Sequence, residues 1–322
     1  MRVIIIANRL PMKLTQSAGR IAFKRSEGGL ATGLASLHTD VETHWLGWPG
    51  LHVEDDAQRT HITEVMSRHS FHPVFLTEQQ IEEYYEGYCN NVVWPLCHYF
   101  FAYIQYDKKT WEAYLEVNRL FFEAAMKLIR PGDVVWIQDY QLMLLPGLLR
   151  QAMPSLSIGY FHHIPFPSFE LFRVLPERAD ILRGLLGADL IGFHTPDYMR
   201  HFISAAYRVL NVECDLDEIH FDKRLIQVNA FPMGIDFEHY YKAGTRVPVR
   251  TLATTFRQQF GAQKLVLSVD RLDYSKGILH RLKGFAATLE RRPDLCERVS
   301  LVMLLVPSRA SVPEYASLKR KI

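Results

Sequence analysis

The 322-residue chain has few cysteines, no long hydrophobic run and no large excess of charge of either sign. Its four cysteines, Cys89, Cys97, Cys214 and Cys296, fall at irregular spacings without a C-x-x-C pair. This pattern argues against a disulfide framework or a zinc site and favours reduced, buried thiols in a cytoplasmic protein. The N-terminus, MRVIIIANRLP, turns polar after a few apolar residues, which predicts a buried first strand rather than a signal peptide. Because no apolar run could cross a bilayer, no membrane partner is expected.

The balance of charge also excludes several classes of ligand. The formal net charge is +2, from 37 basic and 35 acidic side chains, so nothing indicates nucleic-acid binding. Any anionic ligand must be met by locally placed cations. Neither G-x-G-x-x-G nor G-x-x-x-x-G-K-[ST] occurs, so neither nicotinamide nor P-loop chemistry is indicated. A chain of this length, with 48% hydrophobic residues, is typical of a globular protein with two domains.

Short β-branched runs alternate with longer helical patterns, which predicts an α/β protein with a mainly parallel sheet. The predicted strands are residues 3–7, 134–137, 158–162, 190–193 and 226–231. One helix is expected over residues 111–129, where apolar residues recur at helical spacing. Another is expected to begin at Thr77, because Thr77-Glu-Gln-Gln80 forms a capping box ahead of an aromatic run.

A second, smaller unit is expected towards the C-terminus. It contains a predicted strand at residues 264–269, a helix at 276–290 and a strand at 300–306, and the polar segment 241–249 before it is predicted to be an irregular linker. A doubly wound domain needs more strands than these to cover its sheet. The chain is therefore expected to be incomplete at its C-terminal end.

Two candidate ligand contacts lie near the first strand. Gly28 and Gly29 form a turn that can bring backbone N–H groups close to phosphate or sugar oxygens, although a tight turn alone would also explain them. Arg9 stands at the carboxyl end of the first strand, where open parallel sheets bind their ligands. A plain surface arginine is the alternative interpretation.

Two further segments follow predicted strands. Asp139 comes directly after a strand and can either accept hydrogen bonds from sugar hydroxyls or cap a helix from Tyr140, and the segment alone favours capping. In Phe161-His-His-Ile-Pro-Phe-Pro167, neighbouring histidines on a strand point to opposite faces and cannot easily share a metal. One histidine is therefore expected to face the cleft, and the other to pack or to be solvated.

The strongest single feature is Asp270-Arg-Leu-Asp-Tyr-Ser-Lys-Gly277, which joins a predicted strand to a predicted helix. Arg271 and Lys276 stand on either side of the turn, near a helix N-terminus whose dipole and free amides add to their charge. Such an anion site could neutralise a diphosphate leaving group without a metal. A solvated charge cluster is the alternative, and the strand–turn–helix pattern disfavours it.

Taken together, these segments resemble the trehalose-6-phosphate synthases. The shared motifs, in the order in which that family has them, are N-R at the first strand end, G-G-L, G-W-x-G, E-Y-Y…N-x-V-x-W-P, W-I-x-D-Y, H-I-P-F-P and R-L-D-Y-S-K-G. The resemblance implies two Rossmann-like domains of the GT-B glycosyltransferase type. Residues 1–245 would form the acceptor-binding domain, and residues 246–322 the start of a truncated nucleotide-sugar domain.

The resemblance also implies an activity. The chain would belong to a retaining glycosyltransferase that moves glucose from a nucleotide sugar, UDP-glucose, to glucose 6-phosphate and gives trehalose 6-phosphate. No cofactor is required, no nucleic-acid or membrane partner is implied, and a homo-oligomer is compatible with the sequence. Two alternatives stand beside this one: a non-catalytic sugar-phosphate-binding fragment, and a related synthase with another phosphorylated acceptor.

The family's motifs imply a role for each matching residue. Glucose 6-phosphate would be bound by Arg9, Trp48, Tyr85, Trp94, Asp139 and Arg309. The nucleotide sugar would be bound by Gly28, Gly29, His163, Arg271 and Lys276. The residues that take part in catalysis would be Asp139, His163, Arg271 and Lys276. The implied mechanism is front-face attack, in which the leaving phosphate takes the acceptor's proton and catalysis rests on positioning and charge stabilisation.

Overall fold

The computed structural model describes residues 1–17, 20–25, 41–261 and 263–306, together with residues 320 and 322. The chain divides into two compact units, Met1–Gly234 and Ile235–Ile322. The domain boundary expected from the sequence, between residues 245 and 246, lies one short helix further along the chain than this division.

A large parallel sheet forms the centre of the first unit. Its strands and those of a neighbouring hairpin are β1 (Arg2–Arg9), β2 (Met12–Ser17), β3 (Arg20–Arg25), β4 (Glu42–Trp48), β5 (Phe71–Pro73), β6 (Val134–Gln138), β7 (Ser157–His162), β8 (Leu190–Phe193), β9 (Glu213–Asp215), β10 (Glu218–Phe221) and β11 (Arg224–Ala230). The sheet has the order β5-β4-β1-β6-β7-β8-β11-β10-β9, and β2 pairs with β3 separately. In this order, each neighbouring pair of strands from β5 across to β11 is parallel. β10 is antiparallel to both of its neighbours, β11 and β9. The prediction of an α/β fold with a mainly parallel sheet is confirmed.

Helices connect the strands of the first unit. They are α1 (Asp56–Ser67), α2 (Glu78–Gln80), α3 (Trp94–Cys97), α4 (Lys108–Leu128), α5 (Leu145–Ala152), α6 (Phe169–Phe172), α7 (Arg178–Leu185) and α8 (Pro196–Leu210). A 13-residue π-helix, Ile81–Val93, continues α2 and runs into α3. Single 3₁₀ turns lie at Phe101–Tyr103 and Tyr140–Leu142. π-Helical geometry is rare and frequently occurs at functional sites.

The predicted elements of this unit are present. All five predicted strands exist, with ends that differ by at most two residues, and the strand at residues 190–193 has the same bounds as β8. The capping box also forms: Gln80 N donates to Thr77 Oγ1 at 3.1 Å, and Thr77 N donates to Gln80 Oε1 at 2.9 Å. This box fixes the start of the helical segment that carries Tyr85.

The core explains why the middle of β1, residues 3–7, is apolar. Ile4, Ile5 and Ile6 are all buried, as expected for a central parallel strand that is covered on both faces. On one face, Ile5 shares a hydrophobic cluster with Ile62 and Met66 of α1. The sheet therefore holds β1 firmly between layers, so its carboxyl end is a fixed platform.

A buried ion pair stands at the amino end of the same strand. Arg2 Nε and Nη2 donate to Asp133 Oδ1 and Oδ2 at 3.1 and 2.8 Å, and Nη2 also donates to the Leu128 carbonyl oxygen at 2.6 Å. Asp133 Oδ2 accepts a further bond from the Arg130 N–H at 2.8 Å. The next residues, Val3 and Val134, form the first registered pair of β1 and β6. The ion pair therefore sets the register of these two strands.

The second unit contains a two-stranded parallel sheet and several helices. Its elements are α9 (Phe237–Ala243), α10 (Val247–Phe260), β12 (Lys264–Arg271), α11 (Ile278–Arg291) and β13 (Val299–Val306), with 3₁₀ turns at Tyr274–Lys276 and Pro293–Leu295. The predicted strand–helix–strand pattern is confirmed. Of the helices within the described ranges of both units, none combines the length and the apolar character that a membrane span requires.

The prediction of an irregular linker at residues 241–249 is wrong. α9 continues to Ala243, and α10 begins at Val247 with Pro248 in its first turn. Asp236 caps α9 by accepting a hydrogen bond from the His239 N–H at 3.0 Å. Polar composition suggested a linker, but proline is compatible with a first helical turn because its missing N–H would have no partner within the helix there.

Removal of the Arg2 side chain tests the role of the ion pair. Arg2→Ala should lower the free energy of unfolding by about 3–5 kcal/mol, because it leaves the Asp133 carboxylate buried and unpaired. Urea denaturation measures the change. Lys108→Ala breaks an exposed pair with Glu112 and should cost less than about 1 kcal/mol. Equal losses in the two variants would contradict the structural role given to Arg2.

Candidate active site

The carboxyl end of β1 places Arg9 between two aromatic rings. The guanidinium carbon lies 3.8 Å from the centroid of Trp48, at the end of β4, and 5.2 Å from that of Tyr85 in the π-helix. The two rings meet edge-on, with their centroids 5.7 Å apart. Cation–π contacts of this kind orient the planar guanidinium, whose fork of N–H donors matches a phosphate or carboxylate group.

A glycine makes room for this arrangement. Gly50 has a φ of +90°, and a Cβ atom there would lie 2.2 Å from Arg9 Nη1. The neighbouring residue Leu51 also orients Trp48, because the Trp48 Nε1–H donates a hydrogen bond to the Leu51 carbonyl oxygen at 3.2 Å. A larger residue at position 50 would therefore displace the guanidinium of Arg9.

The resulting pocket has a volume of about 500 Å³ and contains charges of both signs. Arg9, Trp48 and Tyr85 form one part of its lining. It is also lined by three carboxylates from one helical segment, those of Glu78, Glu82 and Glu86. A single cation with several carboxylates suits a ligand that has one anionic end and several hydroxyl groups, since carboxylates accept hydrogen bonds from hydroxyls.

Trp94 occupies a different place from the one its expected role suggests. It is buried in the core, with its ring centroid 4.0 Å from that of His98 and 5.9 Å from that of Tyr140. Arg9, in contrast, contacts Trp48 and Tyr85. The structure thus brings together three of the residues expected to bind glucose 6-phosphate, Arg9, Trp48 and Tyr85, and it places Trp94 beside Tyr140.

Asp139 has an unusual backbone and does not cap the turn that it precedes. Its φ of +71° and ψ of 170° belong to a region that only glycine adopts without strain. Its side chain makes no capping bond within the Tyr140 turn but accepts a hydrogen bond from the His163 N–H at 3.1 Å. Its own N–H donates to the Phe161 carbonyl oxygen at 2.7 Å. The capping interpretation is therefore wrong, because a contact with the β7 strand end takes its place.

His163 lies partly buried at the end of β7. Its Nε2 is 2.8 Å from Gln138 Oε1, and because an amide oxygen only accepts, the Nε2 atom carries the proton. Burial, with a smaller contribution from His194, lowers the pKa of His163 to about 3. The imidazole is therefore neutral at ordinary pH, and its Nδ1 is of the type that accepts a hydrogen bond from a hydroxyl group.

The neighbouring histidine has the opposite environment, as the strand alternation predicts. His162 is fully buried against Phe166 and Phe193, and its Nδ1 lies 3.0 Å from the Tyr160 hydroxyl. Burial is the largest cause that lowers the pKa of His162 to about 3. The two histidines therefore differ in environment. His162 packs in the core, and His163 lies partly buried at the carboxyl end of β7.

A buried polar network supports this edge of the sheet. The Tyr84 hydroxyl donates to Asn8 Oδ1 at 3.0 Å, and the Tyr114 hydroxyl donates to the Tyr140 carbonyl oxygen at 2.8 Å. Burial raises the pKa of both tyrosines well above its usual value, so both remain protonated donors. Asn8, Gln138 and His194 were not predicted from the sequence as site residues. Their positions at the carboxyl ends of strands were the signal that could have identified them.

In the second unit, the turn after β12 has the expected form. Asp273 is fully buried and accepts a hydrogen bond from the Ser275 N–H at 2.9 Å, and Gly277, with a φ of +63°, leads into α11. Arg271 is 48% exposed, with Nη2 3.8 Å from Asp273 Oδ2. Lys276 is partly buried in the 3₁₀ turn. The strand–turn–helix prediction is confirmed, and the roles of Arg271 and Lys276 stay predictions.

Three expected site residues, Gly28, Gly29 and Arg309, lie outside the described residues. Within the described ranges, no three side chains of metal-binding type are grouped so that they could share a metal ion.

Comparisons with known proteins agree with these features. The model of glycosyltransferase family 20 matches residues 1–322. The UDP-forming alpha,alpha-trehalose-phosphate synthase of Emericella nidulans is 40% identical over 323 residues, which cover 99% of this chain and 64% of that protein.

Solved structures show the same likeness. The N-terminal domain of the Candida albicans trehalose-6-phosphate phosphatase has a TM-score of 0.87 and 30% identity, covering 99% of this chain and 67% of that one. A UDP-forming synthase from Burkholderia xenovorans, in complex with glucose-6-phosphate, has a TM-score of 0.82 and 29% identity, covering 100% and 69%. The chain thus spans about two thirds of the length of these proteins, and the expected GT-B type of α/β fold is confirmed.

The low pKa of His163 predicts a distinct behaviour in acid. The unfolded chain takes up a proton on this residue near pH 6.5, whereas the folded chain does so only near pH 3. His163 therefore contributes a loss of stability as the pH falls from about 6.5 towards 3.

Nuclear magnetic resonance measures this directly. The Cε1–H signal that disappears in His163→Gln should keep its chemical shift between about pH 8 and 4.5 in the folded chain, and should titrate near pH 6.5 in urea. A midpoint near 6.5 in the folded chain would contradict the geometry described for His163.

Proposed function

Because the chain belongs to glycosyltransferase family 20, we propose that it is part of a retaining enzyme that transfers glucose from UDP-glucose to glucose 6-phosphate. The product is trehalose 6-phosphate. The observation that carries this proposal is the Arg9 pocket, in which one cation lies over two aromatic rings and carboxylates line the same cavity. The similarity to a UDP-forming synthase over 99% of the chain supports it.

The acceptor fits the pocket by its chemistry. Its phosphate is the anionic group that the Arg9 guanidinium would bind through paired N–H···O bonds. Its hydroxyls would donate to the glutamates of the pocket, and the rings of Trp48 and Tyr85 offer apolar faces to the sugar. Asp139, fixed at the same edge of the sheet, would accept from further acceptor hydroxyls.

The reaction would proceed mainly by positioning and charge stabilisation. The bond between C1 of the donor glucose and the diphosphate oxygen breaks, and a bond forms on the same face between C1 and the acceptor's anomeric oxygen. The acceptor's proton passes to the departing diphosphate. Arg271 and Lys276 would neutralise the charge that develops on that group, and the neutral His163 would accept a hydrogen bond from a hydroxyl of the transferred glucose.

No cofactor is needed in this scheme, because the leaving group of the nucleotide sugar makes the transfer favourable. We place the reaction in the cytoplasm, which the four free cysteines support, since disulfides are rare in that compartment.

An assay of UDP release tests the function. The full-length protein is mixed with UDP-glucose, with and without glucose 6-phosphate, and the sugar product is identified by nuclear magnetic resonance. Release that depends on glucose 6-phosphate, with an α,α-linked product, is expected. Release with glycerol phosphate instead would indicate another phosphorylated acceptor. Binding of glucose 6-phosphate by the full-length protein without any UDP release would indicate a non-catalytic sugar-phosphate-binding protein and contradict the proposal.

Arg9→Gln tests the acceptor pocket. It should raise the dissociation constant for glucose 6-phosphate by about 10- to 100-fold, since a hydrogen bond to a charged group contributes about 1.5–3 kcal/mol. Arg183→Gln removes an exposed cation of α7 that pairs with Asp180, and it should leave the constant unchanged. Calorimetric titration measures both. Unaltered affinity in Arg9→Gln would place the phosphate elsewhere.

Lys276→Ala tests the leaving-group site. In the full-length protein, turnover should fall by about 10²–10³-fold, equivalent to about 2.7–4 kcal/mol, because one preorganised charge-stabilising donor is lost. Affinity for glucose 6-phosphate should stay as it was. Lys283→Ala, on the exposed face of α11, is the matched control. If turnover were the same in both variants, Lys276 would have no role in departure of the diphosphate.

A further inference from the structure

We propose that the first unit carries a second phosphate-binding site on its outer helical layer. A pocket of about 470 Å³ lies between α6, the start of α7 and the end of α8. Three arginines, Arg173, Arg178 and Arg208, line it together with Phe169 and Pro176. None of these residues belongs to the candidate active site.

Two of the three arginines lie over one aromatic ring, that of Phe169. The guanidinium carbon of Arg208 lies 5.1 Å from the centroid of Phe169, and that of Arg173 lies 5.7 Å from it. Arg178 is held by a hydrogen bond from its Nη1 to the Leu175 carbonyl oxygen at 2.9 Å. Arg173, just after α6, and one arginine each from α7 and α8 thus bring like charges to one pocket. Their mutual repulsion is a cost that a bound anion would relieve.

Neighbouring acids do not neutralise this cluster. The residues that line the pocket, all of them within the described ranges, include no acidic side chain. Glu170 pairs with Arg173 at 3.3 Å, but both side chains are mostly exposed, and such pairs contribute little. Glu177 precedes Arg178, yet its two carboxylate oxygens accept hydrogen bonds from the hydroxyls of Tyr88 and Tyr106. Among the described residues, no ion pair joins this carboxylate to an arginine of the pocket.

The pocket is separate from the Arg9 pocket. α8 begins after Thr195, just beyond the carboxyl end of β8, which is the edge of the sheet that carries the candidate active site. Arg208 is near the other end of α8, about 18 Å along the helix axis at 1.5 Å per residue. Arg9, at the end of β1, belongs to a different set of lining residues.

The chemistry of the lining defines the class of ligand. Guanidinium groups bind phosphate oxygens in pairs, and several of them together suit a dianionic group. The volume is larger than one phosphate needs and lies in the range of small-molecule sites. Phe169 and Pro176 would contact the less polar body of the ligand. The expected ligand is a phosphorylated small molecule, and this conclusion does not depend on the proposed transferase activity.

Chemical protection of the arginines tests the proposal in the unaltered chain. The chain is treated with phenylglyoxal, with and without inorganic pyrophosphate, and the rate of modification at each arginine is read by peptide mass spectrometry. Pyrophosphate at ten times its dissociation constant should slow modification of Arg173 and Arg208 by about tenfold. Arg200, an exposed arginine of α8 like Arg208, should react at an unchanged rate. Unchanged rates at Arg173 and Arg208 would overturn the proposal.

A double variant gives an independent test. Arg173→Gln combined with Arg208→Gln should reduce the number of pyrophosphate ions bound per chain by one in calorimetric titration, and Arg200→Gln should not reduce it. Binding of glucose 6-phosphate at the Arg9 pocket should be the same in all three chains, so failure of that pocket is distinguishable from failure of this site. Equal pyrophosphate stoichiometry in the double variant and the unaltered chain would contradict the proposal.

Discussion

The ion pair between Arg2 and Asp133 is the interaction on which the candidate active site depends. It joins the starts of β1 and β6, and the register then runs from Val3 opposite Val134 to Ala7 opposite Gln138. Both strands consequently end at the same edge of the sheet, where Arg9 is the last residue of β1 and Asp139 follows β6. A slip of one residue would turn every side chain of a strand to the other face. The chemistry of the edge is thus fixed by a polar contact at the opposite end of the strands.

At this edge of the sheet, the backbone of Asp139 is strained and the side chain of His163 is largely removed from water. Asp139 has a backbone conformation that costs about 1–3 kcal/mol for a residue with a side chain. Its bonds to the β7 strand end, together with the buried tyrosine network beneath, hold it there. Burial keeps His163 neutral, and two aromatic rings orient Arg9. Contacts within the protein thus orient these groups, as the proposed catalysis by positioning and charge stabilisation requires.

The sequence predicted the elements whose signals are local. β8 was found with the same bounds, because a short apolar β-branched run is a strong strand pattern, and the Thr77 capping box depends on residues three positions apart. Long-range contacts could not be read in this way. Asp139 was interpreted as a cap because it precedes a turn, yet its carboxylate bonds to a backbone N–H 24 positions away. The short strand β5 and the stacking of Arg9 on Trp48 likewise depend on partners that are distant in the chain. The motifs identified the family, whereas contacts such as that of Gln138 with His163 required the fold.

We propose that this edge of the sheet binds a phosphorylated sugar through Arg9. The most direct measurement is calorimetric titration of the chain with glucose 6-phosphate and, separately, with glucose. We predict that glucose binds at least about tenfold more weakly than glucose 6-phosphate, since the charged contact contributes about 1.4 kcal/mol or more. Equal affinities for the two sugars would contradict it, because the phosphate would then contribute nothing to binding.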